Sequence, residues 1–141
     1  MSSSPEQLAR RWFEEIWNQR RFDTIDELFG ERCVIHDAGT IPGDVDNAAQ
    51  FRGLAQGLHH AISDIRFAIE DTVAQGEHVV MRVVVTGKHT GEGLGVPPTN
   101  RHVRVTGMVW GTWRGGKLAE GWNSFDMLSL FEQLGAVKRP S

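Results

Sequence analysis

The chain of 141 residues carries a formal net charge of -3, with 40% hydrophobic and 23% charged residues, which allows one compact domain and leaves too little chain for two. It holds no block of Lys and Arg and no acidic run, so neither a nucleic-acid footprint nor an acidic tail is expected. One cysteine, Cys33, excludes an intramolecular disulfide. No apolar run reaches the roughly 18 residues that span a bilayer, and MSSSPEQLARRW lacks the apolar core of a signal peptide, so a cytoplasmic protein away from membranes is expected. Five Trp and seven Phe stand beside no Tyr, which supplies bulky lining and removes every phenolic proton donor.

Ser4-Pro5-Glu6-Gln7 reads as a helix start, with Ser at the N-cap, Pro in the first turn and Gln three residues after the cap. Leu8, Trp12, Phe13, Ile16 and Trp17 then share one face. Thr24-Ile25-Asp26-Glu27 repeats the capping pattern, with Gly30 placed to close that short helix. CVIH (33–36) is a short strand and DAGTIPGDVD a loop. From Asn47 to about Ser63 the pattern is helical, with Phe51, Leu54, Leu58 and Ile62 on one side. Sheet follows: Ile65, Phe67 and Ile69 alternate, AQGE turns, and HVVMRVVVTGKHT is a long strand. GEGLGVPPTN is a Gly/Pro loop, RHVRVTGMVWGTWR a strand and KLAEGWNSFD the last strand. A short helix, Met127 to Leu134, ends at Gly135.

This order predicts an α+β fold, with helices across the concave face of a curved antiparallel sheet that encloses a cone-shaped cavity. Gly107 and Gly111 inside a strand predict bending or close approach. Val83 and Val85 on one side, Val84 on the other, and Val109 against Trp110 make both sheet faces apolar, so a second subunit is expected on the outer one.

The candidate chemistry gathers in a few polar residues. Glu120 falls on the Trp122 side of its strand and Asn123 on the opposite side. Glu120 is read as structural, pairing with Arg82 or Arg104. Asp126 precedes MLSLFEQL and is a natural N-cap. His36 at a strand end, beside Asp37, is the titratable base best suited to neutral pH. His89 either touches a ligand or holds loop carbonyls. Arg82 is either a pocket cation or half of a buried pair with Glu120. All five Trp (Trp12, Trp17, Trp110, Trp113 and Trp122) could wall a cavity for an aromatic substrate, with at least half of them expected in core or dimer packing; Trp17, Trp110 and Trp122 are the ones expected to reach substrate. His59 and His60, with Asp64 at i+4 from His60, read as a solvated helix face. No HExxH, CxxC or paired-His spacing points to a metal, no GxSxG to a serine hydrolase, and GEGLG lacks the following helix of a dinucleotide site. No cofactor or metal is expected.

Arg82, GKHTGEGLGVPPTNRHV (87–103), GGKLAEGW (115–122), Asp126 and LFEQLG (130–135) follow a Trp-rich first helix and ELF…VIHD. Over nearly the whole chain, 1–141, this resembles the SnoaL-like polyketide cyclase branch of the NTF2-like superfamily of cone-shaped α+β barrels, whose relatives include ketosteroid isomerase and limonene epoxide hydrolase. The resemblance implies a homodimer with a solvent-poor pocket for a small apolar or aromatic substrate. It also implies cofactor-independent chemistry, typically an intramolecular aldol ring closure of a polyketide ester. In the aldol cyclases an Asp one residue after the Trp of the last strand acts as acid/base, and Asn123 stands there in this chain. An Asn cannot titrate; it can only donate or accept hydrogen bonds, as in an oxyanion site.

Three readings follow. The first is an isomerase- or lyase-type enzyme working next to a carbonyl, with His36 as acid/base and Asn123 polarising the carbonyl. The second is an epoxide hydrolase, for which Arg82 and Asp37 are available but the central Asp is missing. The third is a non-catalytic binding or dimerisation module that kept the pocket and lost the base.

Overall fold

The computed structural model describes residues 3–38, 43–138 and 140; Gly39 to Pro42, within the expected loop, lie outside the described residues. Helix α1, Pro5–Arg11, opens with the expected capping box: Ser4 Oγ accepts from the Gln7 backbone N–H at 3.2 Å, and Gln7 Oε1 accepts from the Ser4 N–H at 2.8 Å. The helix then widens into a π-helical segment, Trp12–Asn18. Hydrogen bonds there span five residues, so residues five apart lie nearly above one another. The single face expected of Trp12 and Trp17 depends on this widening, since at α-helical spacing they would diverge by about 140°; in the π segment both are buried, together with Phe13 and Ile16.

Helix α2, Asp23–Leu28, follows without a side-chain cap. Thr24 is not its N-cap; its hydroxyl donates instead to Glu15 at 2.8 Å. Gly30 does not close that helix either. It lies inside strand β1, Phe29–His36, where a side chain would press on the Leu118 carbonyl of a neighbouring strand. Strand β2, Asp44–Val45, is a two-residue pairing within the expected loop. Helix α3, Ala48–Ala61, is capped by Asn47, whose Oδ1 accepts from the Gln50 N–H at 2.8 Å. Three long strands and a shorter one complete the sheet: β3 Ile62–Gln75, β4 His78–His89, β5 His102–Arg114 and β6 Lys117–Phe125. Helix α4, Met127–Gln133, starts at the expected Asp126 cap, which accepts from the Ser129 N–H at 3.0 Å. It ends before Gly135 at φ 75.

The six strands form one curved, unclosed sheet in the order β2-β1-β6-β5-β4-β3. The expected antiparallel pattern holds except for β1, which runs parallel to β6. Close approach accounts for Gly107, on which the Phe125 ring lies, and for Gly111, which lies against the Trp113 ring. α1, the π segment and α3 pack on one face of the sheet, so that Trp12, Phe13, Trp17 and Phe51 meet Phe67, Val85 and Val105. No helix among the described residues is long and apolar enough to cross a membrane.

Candidate functional site

Alternation along β6 decides what each residue of GWNSF can reach. Asn123 and Phe125 face the helices; Trp122 and Ser124 face away. Between the sheet and the helices lies a cavity of about 100 Å³. Its walls come from the π segment (Trp12, Phe13, Trp17), from α3 (Phe51, Leu58), from the sheet (Ile35, Ile65, Phe67, Val85, Val105, Phe125) and from α4 (Met127, Leu130). Ala38 and Ile62 complete it, and apart from the indole N–H of Trp12 and Trp17 the side chain of Asn123 is its only polar lining group among the described residues. The Asn123 amide makes no hydrogen bond to any described residue. A small second cavity, walled by Met81, Val109 and Trp113 among others, meets Asn123 from the other side.

The remaining candidates are elsewhere. His36 pairs in register with Trp122 and Asp44, one residue out of phase with the cavity residue Ile35. Its ring therefore stands on the outer sheet face, stacked on Trp122 with centroids 5.5 Å apart. His36 Nδ1 lies 3.0 Å from Asp44 Oδ1 and Nε2 lies 2.8 Å from Glu120 Oε2. Two carboxylates can accept from both ring nitrogens only when the imidazole is doubly protonated. The hydrogen bond to Glu120 is the main cause that raises the His36 pKa above its ordinary value; burial opposes it, and the hydrogen bond to Asp44 adds to the rise. Glu120 thus pairs with His36 rather than with Arg82 or Arg104. Arg82 is exposed on the same outer face and pairs with no described residue, so it is neither a cavity cation nor a buried ion-pair partner. Trp110, 47% exposed, meets Trp122 edge-on, their ring centroids 6.0 Å apart.

His36 and Asn123 are therefore separated by the sheet, and the acid/base pairing expected of them is not assembled. The Asp37–Arg82 arrangement for opening an epoxide is not assembled either, since neither residue reaches the cavity. Of the three Trp expected at substrate, Trp17 lines the main cavity, whereas the rings of Trp110 and Trp122 meet each other on the outer face. His89 is fully buried and anchors the Gly/Pro loop: its Nδ1 accepts from the Thr99 N–H at 3.2 Å, and its backbone bonds Asn100 and Arg101. His59, expected in solvent, is buried and stacked on Trp17; its Nε2 donates to the Ile16 carbonyl at 3.2 Å, and burial lowers its pKa. Burial also pushes the Cys33 thiol up to about 12, which leaves it unreactive.

The cavity residues missed as a set (Phe51, Ile65, Phe67, Val105, Phe125, Met127) all lie on apolar faces visible in the sequence. Periodicity marks such residues as inward but does not separate cavity wall from solid core.

Because the His36 pKa is raised on folding, its pairing stabilises fully below the ordinary value near 6.5 and fades as pH rises through the folded value. Glu120→Gln should lower the His36 midpoint in an NMR titration. It should also reduce the urea midpoint at pH 5.5 and leave it nearly unchanged at pH 8.5. An unchanged His36 midpoint would show that Glu120 does not hold the proton.

The model of the family described as SnoaL-like polyketide cyclase matches residues 7–134. Among solved structures, IdmH from Streptomyces antibioticus, described as a candidate polyketide cyclase, is 29% identical with a TM-score of 0.81, over 94% of this chain and 99% of that one. AclR from Streptomyces galilaeus, described as a candidate hydroxylase, is 23% identical with a TM-score of 0.82, over 97% and 88%. A candidate SnoaL-like polyketide cyclase from Jannaschia sp. CCS1 is 22% identical with a TM-score of 0.82, over 95% and 93%. The last two, below 25% identity, speak to the fold alone. No curated protein matches the chain.

Proposed function

The chain belongs to the SnoaL-like polyketide cyclase family, and from that premise we propose that it takes up a largely apolar small molecule bearing a carbonyl group, with the carbonyl at Asn123. The observation that carries this reading is the free amide of Asn123 in a cavity whose other lining side chains are uncharged and, but for the indole N–H of Trp12 and Trp17, apolar. Asn123 is half-buried and its amide has no protein partner among the described residues, so a ligand carbonyl can take up its N–H groups. IdmH, described as a candidate polyketide cyclase, supports a ligand of polyketide type. In a ring closure next to the carbonyl, the Asn123 N–H groups would hold the developing oxyanion. No described lining residue titrates, so the proton would pass to water or to a group carried by the ligand. That same lack of a base favours a second reading, a binding module without turnover.

Trp12 and Trp17 line the cavity, so indole fluorescence reports occupancy. An aromatic ketone is expected to quench the natural protein saturably. Val105→Phe, which fills the cavity, should abolish quenching while the melting curve stays cooperative. Quenching that survives in the filled variant would place the ligand elsewhere and overturn the reading.

We also propose a homodimer through the outer sheet face, where Met108, Trp110 and Trp122 are 49%, 47% and 40% exposed. Contiguous exposed apolar area of this kind marks an interface. Sedimentation should give a dimer for the natural protein and a monomer for Trp110→Glu. A natural protein that stays monomeric at high concentration would count against it.

A further inference from the structure

We propose that the ligand of this cavity is uncharged and presents a hydrogen-bond donor beside an acceptor, as a carboxamide or an enol next to a ketone does, so that both halves of the Asn123 amide are engaged at once. The inference deepens the reading of the cavity as a ligand site and rests on it.

A side-chain amide offers two N–H donors on nitrogen and two lone pairs on oxygen, held side by side in one plane. The chain shows twice how it satisfies such a group. The Asn18 amide pairs with one backbone edge: its Oδ1 accepts from the Phe67 N–H at 2.7 Å while its Nδ2 donates to the Phe67 carbonyl at 3.0 Å, and the second Nδ2 hydrogen goes to the Glu14 carboxylate at 2.8 Å. The Gln133 amide does the same with Arg104, accepting from the N–H and donating to the carbonyl, each at 2.9 Å. In both, a neutral backbone N–H and C=O edge takes one donor and one acceptor of the amide, and the remaining N–H goes to a side chain, Glu14 for Asn18 and Ser129 for Gln133. Asn123 has no such partner, and its surroundings are apolar. A ligand with only a carbonyl leaves the Asn123 oxygen bare. A ligand with a donor next to its carbonyl repeats the pairing seen at Asn18 and Gln133.

Charge and size narrow the ligand further. No Arg, Lys or His lines the cavity among the described residues, so a carboxylate would be buried without a counterion, which is strongly unfavourable. The volume of about 100 Å³ compares with an engineered apolar cavity of about 150 Å³ that holds benzene. The cavity is the smaller of the two, so it takes at most a single ring, and any longer part of the ligand extends beyond it.

The test uses four single-ring probes of similar shape: benzamide (donor and acceptor), acetophenone (acceptor only), ethylbenzene (neither) and benzoate (charged). Dissociation constants are measured by indole quenching and calorimetry at pH 7.5 for the natural protein and for Asn123→Leu. Asn123→Ala serves as a second variant in case leucine blocks the cavity, and melting curves establish folding. On removing the amide, benzamide should weaken by roughly thirtyfold, acetophenone by roughly fivefold, and ethylbenzene by less than about twofold, each lost hydrogen bond accounting for about a fivefold factor or slightly more. Benzoate should bind the natural protein at least about a hundredfold more weakly than benzamide.

Equal losses for benzamide and acetophenone would show that one half of the amide suffices and would overturn the paired-edge inference while leaving the cavity a ligand site. Benzoate binding on a par with benzamide would overturn the uncharged class in the same way. Failure of all four probes, ethylbenzene included, to bind the natural protein would overturn the ligand-site reading, and the inference with it.

Discussion

Asn123→Asp is expected to give the cavity a carboxyl group with a pKa well above the ordinary Asp value of about 3.9. Its surroundings supply no cation, since no other lining residue is charged, so desolvation penalises the charged form. A carboxyl held in this way is a base of useful strength near neutral pH, and a positioned general base contributes typically ~10²–10⁴-fold to rate. Ring closure of an anthraquinone-type ester should therefore run at least about a hundredfold faster with Asn123→Asp than with the natural protein, with a rate that rises through the raised pKa. The same shift sets the stability of the variant. A carboxyl whose folded pKa lies above its unfolded value costs nothing at low pH. It costs progressively more as pH rises from the unfolded value towards the folded one, after which the loss is constant. The variant should thus match the natural protein in urea at pH 3.5 and fall behind it by pH 7. A natural protein already as fast as the Asp variant would mean that the proton goes to a group other than residue 123. An Asp variant with a raised pKa and no added turnover would favour the binding module over the enzyme.

Gly30→Ala is expected to destabilise the fold by about 3 kcal/mol, a large loss for a single methyl group. A Cβ at this position would lie 2.5 Å from the Leu118 carbonyl oxygen and 3.5 Å from its carbon. The obstacle is backbone in the neighbouring strand rather than a side-chain tip, so β1 and β6 must part to make room. That parallel pair carries Ile35 and Asn123 into the cavity and His36 against Trp122 on the other face, so the damage would reach both. Gly135 provides the contrast. It has φ 75, and a Cβ there would meet only the tip of Arg101, at 3.3 Å. Asn tolerates the left-handed conformation, so Gly135→Asn should cost less than about 1 kcal/mol while Gly30→Asn should be as harmful as Gly30→Ala. Similar melting temperatures for Gly30→Asn and the natural protein would restore the helix-closing role that the sequence alone suggests for Gly30.

These expectations mark how far the sequence carries. The capping box at Ser4 and Gln7, the Asp126 cap, the end of α4 before Gly135 and the long strands around Val83 and Val109 are local events. Each depends on a few adjacent residues and on periods of 3.6 or 2, and each is legible in the chain. The alternation that sets Glu120 with Trp122 and Asn123 opposite is equally local, and it holds. The α+β class and the family follow from motifs spread along the chain in a fixed order.

What the sequence does not contain is which strand lies beside β1. Whether His36 meets Asn123 or Glu120 depends on β1 pairing parallel to β6 with Ile35 opposite Gly121. A shift of one residue would reverse the faces. That pairing joins segments over 80 residues apart, and it carries His36 to two carboxylates on the outer face. The π segment is also a tertiary outcome, since its wider turn brings Trp12 and Trp17 onto one cavity wall that α spacing would have split. His59 is buried for the same kind of reason: its apolar cover, Trp17 and Phe22, comes from other elements. By itself the sequence determined most of the elements, the caps at Ser4 and Asp126, the fold class and the unusual amide at position 123. Only the tertiary structure decided that this amide stands alone among apolar walls, because the partners it lacks are set by strand register and helix packing across the whole chain.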